Sequence, residues 1–137
     1  MRIELTVDPH NQWFATVWVI ANGQKAKIEF KVDSGCNALV LSHETLKKLA
    51  ISTKPLDLEK LPDMTGKLAT GVKSRFKQLG VVSLYSINKP PVHICNAKAI
   101  CHARRETNDL IGTEVLQQFT DVNFHLSGHK YMELLKS

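Results

Sequence analysis

The chain has 137 residues, 43% hydrophobic and 23% charged, enough to bury one core without staples and composed like an ordinary soluble globular protein. No run reaches the roughly 18 apolar residues of a membrane span, and Met1-Arg2-Ile3-Glu4 does not open a secretory signal. The excess of 18 Lys and Arg over 13 Asp and Glu is too spread out for a nucleic-acid footprint, and three cysteines form no disulfide framework. The expectation is a soluble, cytoplasmic protein with neither nucleic acid nor membrane as partner, in a compartment that keeps thiols reduced.

In chain order, Ile3 to Val7 alternates with period two and stops at Asp8-Pro9, and Trp13 to Ile20 is rich in aromatic and β-branched residues. Asn22-Gly23 gives a hairpin signal before a third strand from Ala26 to Val32. After Leu39 to Leu41, Ser42 can cap a short helix from His43 to about Ala50, with Glu44 in its first turn. From Ile51 to Leu61 the pattern is irregular, and Pro55 and Pro62 argue against a central strand. Met64 to Phe76 holds two glycines among alternating residues and reads as a β-hairpin. Gln78 to Ser86 and Val92 to Ile100 read as strands around a turn at Asn88-Lys89-Pro90-Pro91. The run Asp121 to Leu126 alternates, and the tail through Leu135 reads as a turn and a last strand.

The third strand delivers Asp33 into the turn Asp33-Ser34-Gly35, and an apolar strand follows. Gly35 permits close backbone approach, and the Ser34 hydroxyl and turn amides can hydrogen-bond around the carboxylate. These are ordinary turn residues, so what singles them out is the apolar strand on each side and a matching element downstream, Leu110-Ile111-Gly112 with a helix-compatible Thr113 to Phe119.

The ordered pair resembles the retropepsin-like aspartic proteases, over about residues 13 to 126. The resemblance implies a mainly antiparallel all-β fold with one or two short helices, an acid-protease half-barrel spanning residues 1–137 as one domain, with 127–137 as a C-terminal strand extension. It implies Asp33, Ser34 and Gly35 as the catalytic loop, and a flap formed by the Met64–Phe76 hairpin. Lys31, Asn37, Gly66, Lys67, Leu68, Ala69, Thr70, Gly71 and Ile111 are the expected substrate-binding residues. Two positions depart from the family pattern: where retroviral members tend to carry an acidic residue and an arginine as a buried ionic support, Asn37 and Thr113 stand. Lys31 also replaces a usually apolar residue, and strand alternation puts it on the face of Asp33.

There is one Asp-Ser-Gly in the chain. Metal-free peptide hydrolysis by this route needs two adjacent carboxylates sharing a proton, so the second comes from Asp33 of another subunit, and a C2 homodimer supplies it. The function expected is a homodimeric aspartic endopeptidase acting on an extended peptide or protein, without cofactor; the alternative is a catalytically inactive dimerisation or peptide-binding module of the same fold. Asp8, Asp57, Asp63, Asp109 and Asp121 are expected to be capping, turn or solvated carboxylates. His93, Cys95, Cys101 and His102 lack the pair spacing of zinc modules, so no metal is expected.

Overall fold

The computed structural model describes residues 1–67 and 71–136. Ten strands run in chain order as β1 (Arg2–Val7), β2 (Trp13–Ala21), β3 (Gln24–Val32), β4 (Leu39–Val40), β5 (Asp63–Lys67), β6 (Lys73–Ser86), β7 (His93–His102), β8 (Leu110–Ile111), β9 (Asp121–His125) and β10 (Tyr131–Leu135). Three short helices accompany them: α1 (His43–Lys48), α2 (Pro55–Glu59) and α3 (Thr113–Leu116). Among the described residues no helix is long and apolar enough to cross a membrane.

The strands follow one another as β5-β6-β7-β4-β8-β3-β2-β1-β10-β9, and a further β6–β2 pairing closes β2, β3, β8, β4, β7 and β6 into a ring. Alternation decides what the ring encloses. Ala26, Ile28 and Phe30 of β3 and Ala15, Val17 and Val19 of β2 point inward and are buried, whereas their neighbours lie outside. Ile3 and Leu5 of β1 and Met132 and Leu134 of β10 extend the same core, so the tail belongs to the packed structure.

Asn22 and Gly23 form the two-residue β2–β3 turn with φ of 52° and 70°, the backbone that Asn-Gly is suited to. Ser42 caps α1 as expected, its hydroxyl accepting from Thr45 N at 3.1 Å. Pro55, which argued against a central strand, starts α2: at the first position of a helix its missing N–H costs nothing and its fixed φ suits the turn. A bulge between the Leu84–Cys95 and Tyr85–His93 pairs shifts the alternation of β7, so Cys95, Ala97 and Ala99 are buried while His93 is exposed.

Helix α1 ends with Ala50 at φ 56°, Ile51 N donating to Leu46 O at 2.8 Å and Ala50 N to Lys47 O at 3.0 Å. That termination normally carries glycine, because a Cβ disfavours the left-handed backbone. Ala50→Gly should therefore stabilise the chain by about 1 kcal/mol, read as a higher urea midpoint with an unchanged slope; a lower midpoint would show that the Ala50 side chain has a packing role that outweighs its strain.

Candidate functional site

Asp33 lies just beyond β3, where three segments distant in sequence interlock. β8 runs between β3, to which it is parallel, and β4, to which it is antiparallel. Asp33 N donates to Ile111 O at 2.9 Å, fixing the start of the turn on β8, and Cys36 N closes the turn onto Asp33 O at 3.1 Å. Gly35 N donates to one oxygen of the Asp33 carboxylate, Oδ1, at 3.0 Å, and the other oxygen makes no described hydrogen bond within the chain. One carboxylate oxygen is thus held in place and the other is open to a reactant.

Behind the loop, Gly112 sits so close that a Cβ there would lie 2.1 Å from Cys36 O and 2.7 Å from Ala38 O, so only glycine fits. The contact is tied by Gly112 N to Ala38 O at 3.0 Å, Thr113 N to Cys36 O at 2.8 Å and Glu114 N to Asn37 O at 3.1 Å. Asn37 and Thr113, which stand where an ionic support was looked for, meet through the Thr113 hydroxyl, which donates to the Asn37 carbonyl at 3.5 Å.

A cleft of about 670 Å³ opens from Asp33 toward the β5–β6 hairpin. Its floor is a small apolar cluster separate from the main core: Val40, Phe76 and Ile100, with Cys36, Ala38 and Leu110 packed against it. Met64, Thr65, Gly66 and Lys67 of β5 form one wall, and Thr107 and Asn108 another. Gly66 lies against the Phe76 ring, 3.0 Å from where a Cβ would stand. Asp33, Gly35, Asn37, Gly66 and Lys67 therefore meet at one cleft.

Other expected site residues lie elsewhere. Ser34 is exposed and makes no described hydrogen bond within the chain. Ile111, expected at the cleft, is 3% exposed in the main core, and its neighbour Leu110 lines the cleft instead, because successive strand residues face opposite ways. Lys31 is half-buried between Phe14 and Leu110 in register and is not among the lining residues. Gly71 is exposed at φ 83°, and Leu68, Ala69 and Thr70 lie outside the described residues. Val40, Phe76, Ile100, Leu110, Thr107 and Asn108 went unnoticed in the sequence; the available signal was that Val40 and Leu110 each neighbour a core residue on a strand, and so face away from it.

Two polar networks brace the walls. Asp109 accepts from Ser42 N at 2.7 Å, Ser42 Oγ at 3.2 Å and Thr45 Oγ1 at 3.0 Å, while Glu106 accepts from His43 N at 2.6 Å and Glu44 N at 3.1 Å. The segment carrying Thr107 and Asn108 is thereby tied to the start of α1. Burial raises the Asp109 carboxyl above its ordinary value against the pull of its donors, and Glu106 adds to the rise. For Glu106 itself burial also acts upward, but the amides of His43, Glu44 and Thr107 outweigh it and the carboxyl is lowered.

At the hairpin base, Lys77 is 1% exposed, paired with Asp63, 3.9 Å from Glu59 and 3.2 Å from Leu61 O; Arg75 pairs with Glu59 and lies 3.8 Å from Asp63. Further along, Arg104 N and Arg105 N donate to His102 Nδ1 at 3.0 and 2.8 Å, so Nε2 carries the proton and donates to Ser74 Oγ at 2.5 Å. Burial, with Arg105 and His43 nearby, lowers the His102 pKa. Burial pushes Cys95 and Cys101 up to about 11, which leaves both thiols protonated and inert.

Gly112→Ala should lower unfolding free energy by at least about 3 kcal/mol, because the atoms it meets are backbone and the β8–loop ties hold them. Urea denaturation measures this, and a variant as stable as the parent would mean that the loop can open at no cost. For His102 the folded state prefers the neutral ring, so its stabilisation is present above the ordinary value of 6.5 and is lost as pH falls through the lowered folded value. Amide exchange at Arg104 and Arg105, corrected for intrinsic rate, should quicken below pH 6.5; exchange independent of pH there would remove the ring nitrogen as their acceptor.

No protein-family model matches the sequence, and no curated protein matches it. Among solved structures, a retropepsin-like aspartic protease from Rickettsia conorii resembles this chain with a TM-score of 0.62 over 97% of this chain and 98% of that one, at 19% sequence identity. With Asp33 on a turn braced by Gly112 at the mouth of the cleft, the fold is that of a retropepsin-like aspartic protease.

Proposed function

We propose that the chain, residues 1–137 taken as one domain, is an aspartic endopeptidase that acts as a C2 homodimer, with one Asp33 from each subunit forming the catalytic pair. The observation that carries the reading is the Asp33 carboxylate itself, one oxygen seated on the Gly35 amide and the other without a partner, at the head of a cleft with an apolar floor. The retropepsin-like fold supports it, and the single Asp-Ser-Gly sets the need for a second copy. Exposed Ser34, with no hydrogen-bond partner described in its own chain, is suited to a contact across the axis.

In this mechanism the two carboxylates share one proton, since like charges this close cannot both ionise. The ionised Asp33 takes a proton from water as its oxygen attacks the scissile carbonyl carbon, and the protonated Asp33 of the other copy gives its proton to the carbonyl oxygen. Collapse of the resulting diol breaks the C–N bond as the nitrogen gains a proton. An extended peptide lies over Gly35 with side chains toward Val40, Phe76 and Ile100, and the β5–β6 hairpin serves as the flap. Three free cysteines, two of them buried, fit a cytoplasmic setting.

Asp33→Asn keeps shape and removes the acid. It should reduce hydrolysis of a peptide library, followed by mass spectrometry, by at least about 100-fold, with the melting temperature and dimer mass retained. Cleavage by the variant at the parental rate would remove Asp33 as the acid. A parent that binds an extended peptide mimic but cleaves nothing would turn the reading to the inactive module.

A further inference from the structure

We propose that His102 is a positioning residue for the cleft: its neutral ring holds the wall that carries Thr107 and Asn108, and a proton on that ring releases the wall and weakens the grip on the peptide. The inference deepens the peptidase reading above and rests on it for the substrate alone.

His102 closes β7 two residues after Ile100, so the two side chains share a face, and it stands opposite Phe76 of β6 in register. Its ring meets the Phe76 ring edge-on, with centroids 5.2 Å apart. Phe76 and Ile100 belong to the cleft floor, whereas His102 is 4% exposed and does not line the cleft. It therefore acts on a bound peptide only through its neighbours.

Both ring nitrogens are engaged, and they face different parts of the site. Nε2–H donates to Ser74 Oγ of β6 at 2.5 Å, while Nδ1 accepts from Arg104 N at 3.0 Å and Arg105 N at 2.8 Å. Neither amide has another acceptor among the described residues. These amides open the segment that runs through Thr107 and Asn108, whose far end is tied to α1 by Glu106 and Asp109. One ring thus joins the hairpin strand to the near end of the wall.

Protonation undoes one of these sides. Once Nδ1 carries a hydrogen it is a donor facing two N–H donors, while Nε2–H keeps Ser74. Nothing compensates the new charge. Burial keeps the ring neutral, and Arg105 of its own loop and His43 of α1 oppose a proton there as well. From β6, Ser74 and Phe76 are neutral, and the neighbouring Arg75 and Lys77 are paired with Glu59 and Asp63. Glu106 is turned to the amides of His43 and Glu44, and no carboxylate among the described residues pairs with the ring. The wall is therefore held above pH 6.5, the ordinary value of the ring, and is released as pH falls through the lowered folded value.

The test is a pH titration by NMR that follows the His102 ring together with the amides of Thr107 and Asn108. In the parent all three should move with one midpoint below 6.5. His102→Asn offers a side-chain oxygen in the place of Nδ1 and binds no proton, so both amides should lose that midpoint. Ser74→Ala, which cuts the side that protonation spares, should keep it. Calorimetry with an uncharged extended peptide mimic adds the link to binding: affinity should weaken toward acid more steeply in the parent than in His102→Asn, by up to about tenfold for each pH unit below the midpoint. Turnover at saturating peptide should follow the same pH profile in both proteins, since Asp33 is untouched. Separate midpoints for the ring and the wall amides in the parent would overturn the positioning role even where the variant folds poorly, as would a loss of affinity toward acid that His102→Asn keeps in full; a parent that cleaves would remain a peptidase in either case. A parent with the shared midpoint and the steeper loss of affinity that hydrolyses nothing would overturn the peptidase reading and leave the role of His102 standing.

Discussion

The close approach of Gly112 to the carbonyls of Cys36 and Ala38 is the constraint on which the site depends. It brings residues 33–38 and 110–114 together through four backbone hydrogen bonds, from the amides of Asp33, Gly112, Thr113 and Glu114. At roughly 1 kcal/mol net for each bond, they hold the turn that carries the acid, and a side chain at Gly112 would force the two segments apart. The arrangement has a chemical consequence. Asn37 and Thr113 contribute peptide groups and a hydroxyl where a salt bridge could have stood, so nothing in this brace titrates. A carboxylate that must change protonation state during a reaction is then held by groups that do not.

The walls of the cleft are held by titratable groups instead, and that divides the structure into a fixed centre and adjustable sides. Asp109 and Glu106 bind the start of α1 to the segment that carries Thr107 and Asn108. Lys77 is buried with Asp63, Glu59 and Leu61 O around its side-chain nitrogen, and removing one acid would leave a charge in the interior short of a partner. Lys77 in turn lowers Asp63, chiefly through their hydrogen bond. These charges tie α2 to the base of the hairpin, while the His102–Ser74 hydrogen bond joins β7 to β6.

Much of this was legible in the sequence wherever local chemistry and tertiary structure agree. Alternation in Trp13–Ile20 and Ala26–Val32, the Asn22-Gly23 turn and the Ser42 cap need no distant partner to be read, and Asp33 is marked by the strand it ends. What stayed hidden depends on contacts far apart in sequence. Leu110 and Ile111 are equally apolar, and only their position between β3 and β4 decides which one faces the cleft. The floor built from Val40, Phe76 and Ile100 draws on three strands, none of which looks unusual alone. Nothing in the sequence near Lys77 announces that Glu59 and Asp63 fold around it, and Pro55 argues against a central strand without showing that it opens a helix after extended Lys54.

Two features of the chain are incomplete in the same sense. Asp33 is one carboxylate where a shared proton needs two, and β9 is one strand edge whose apolar row runs out into solvent. The proposed twofold would complete the first, because it sets a residue at the axis against its own copy. The two lie close in sequence: the eight positions between Gly112 and Asp121, through α3, link the glycine that braces the acid to the strand with the open edge.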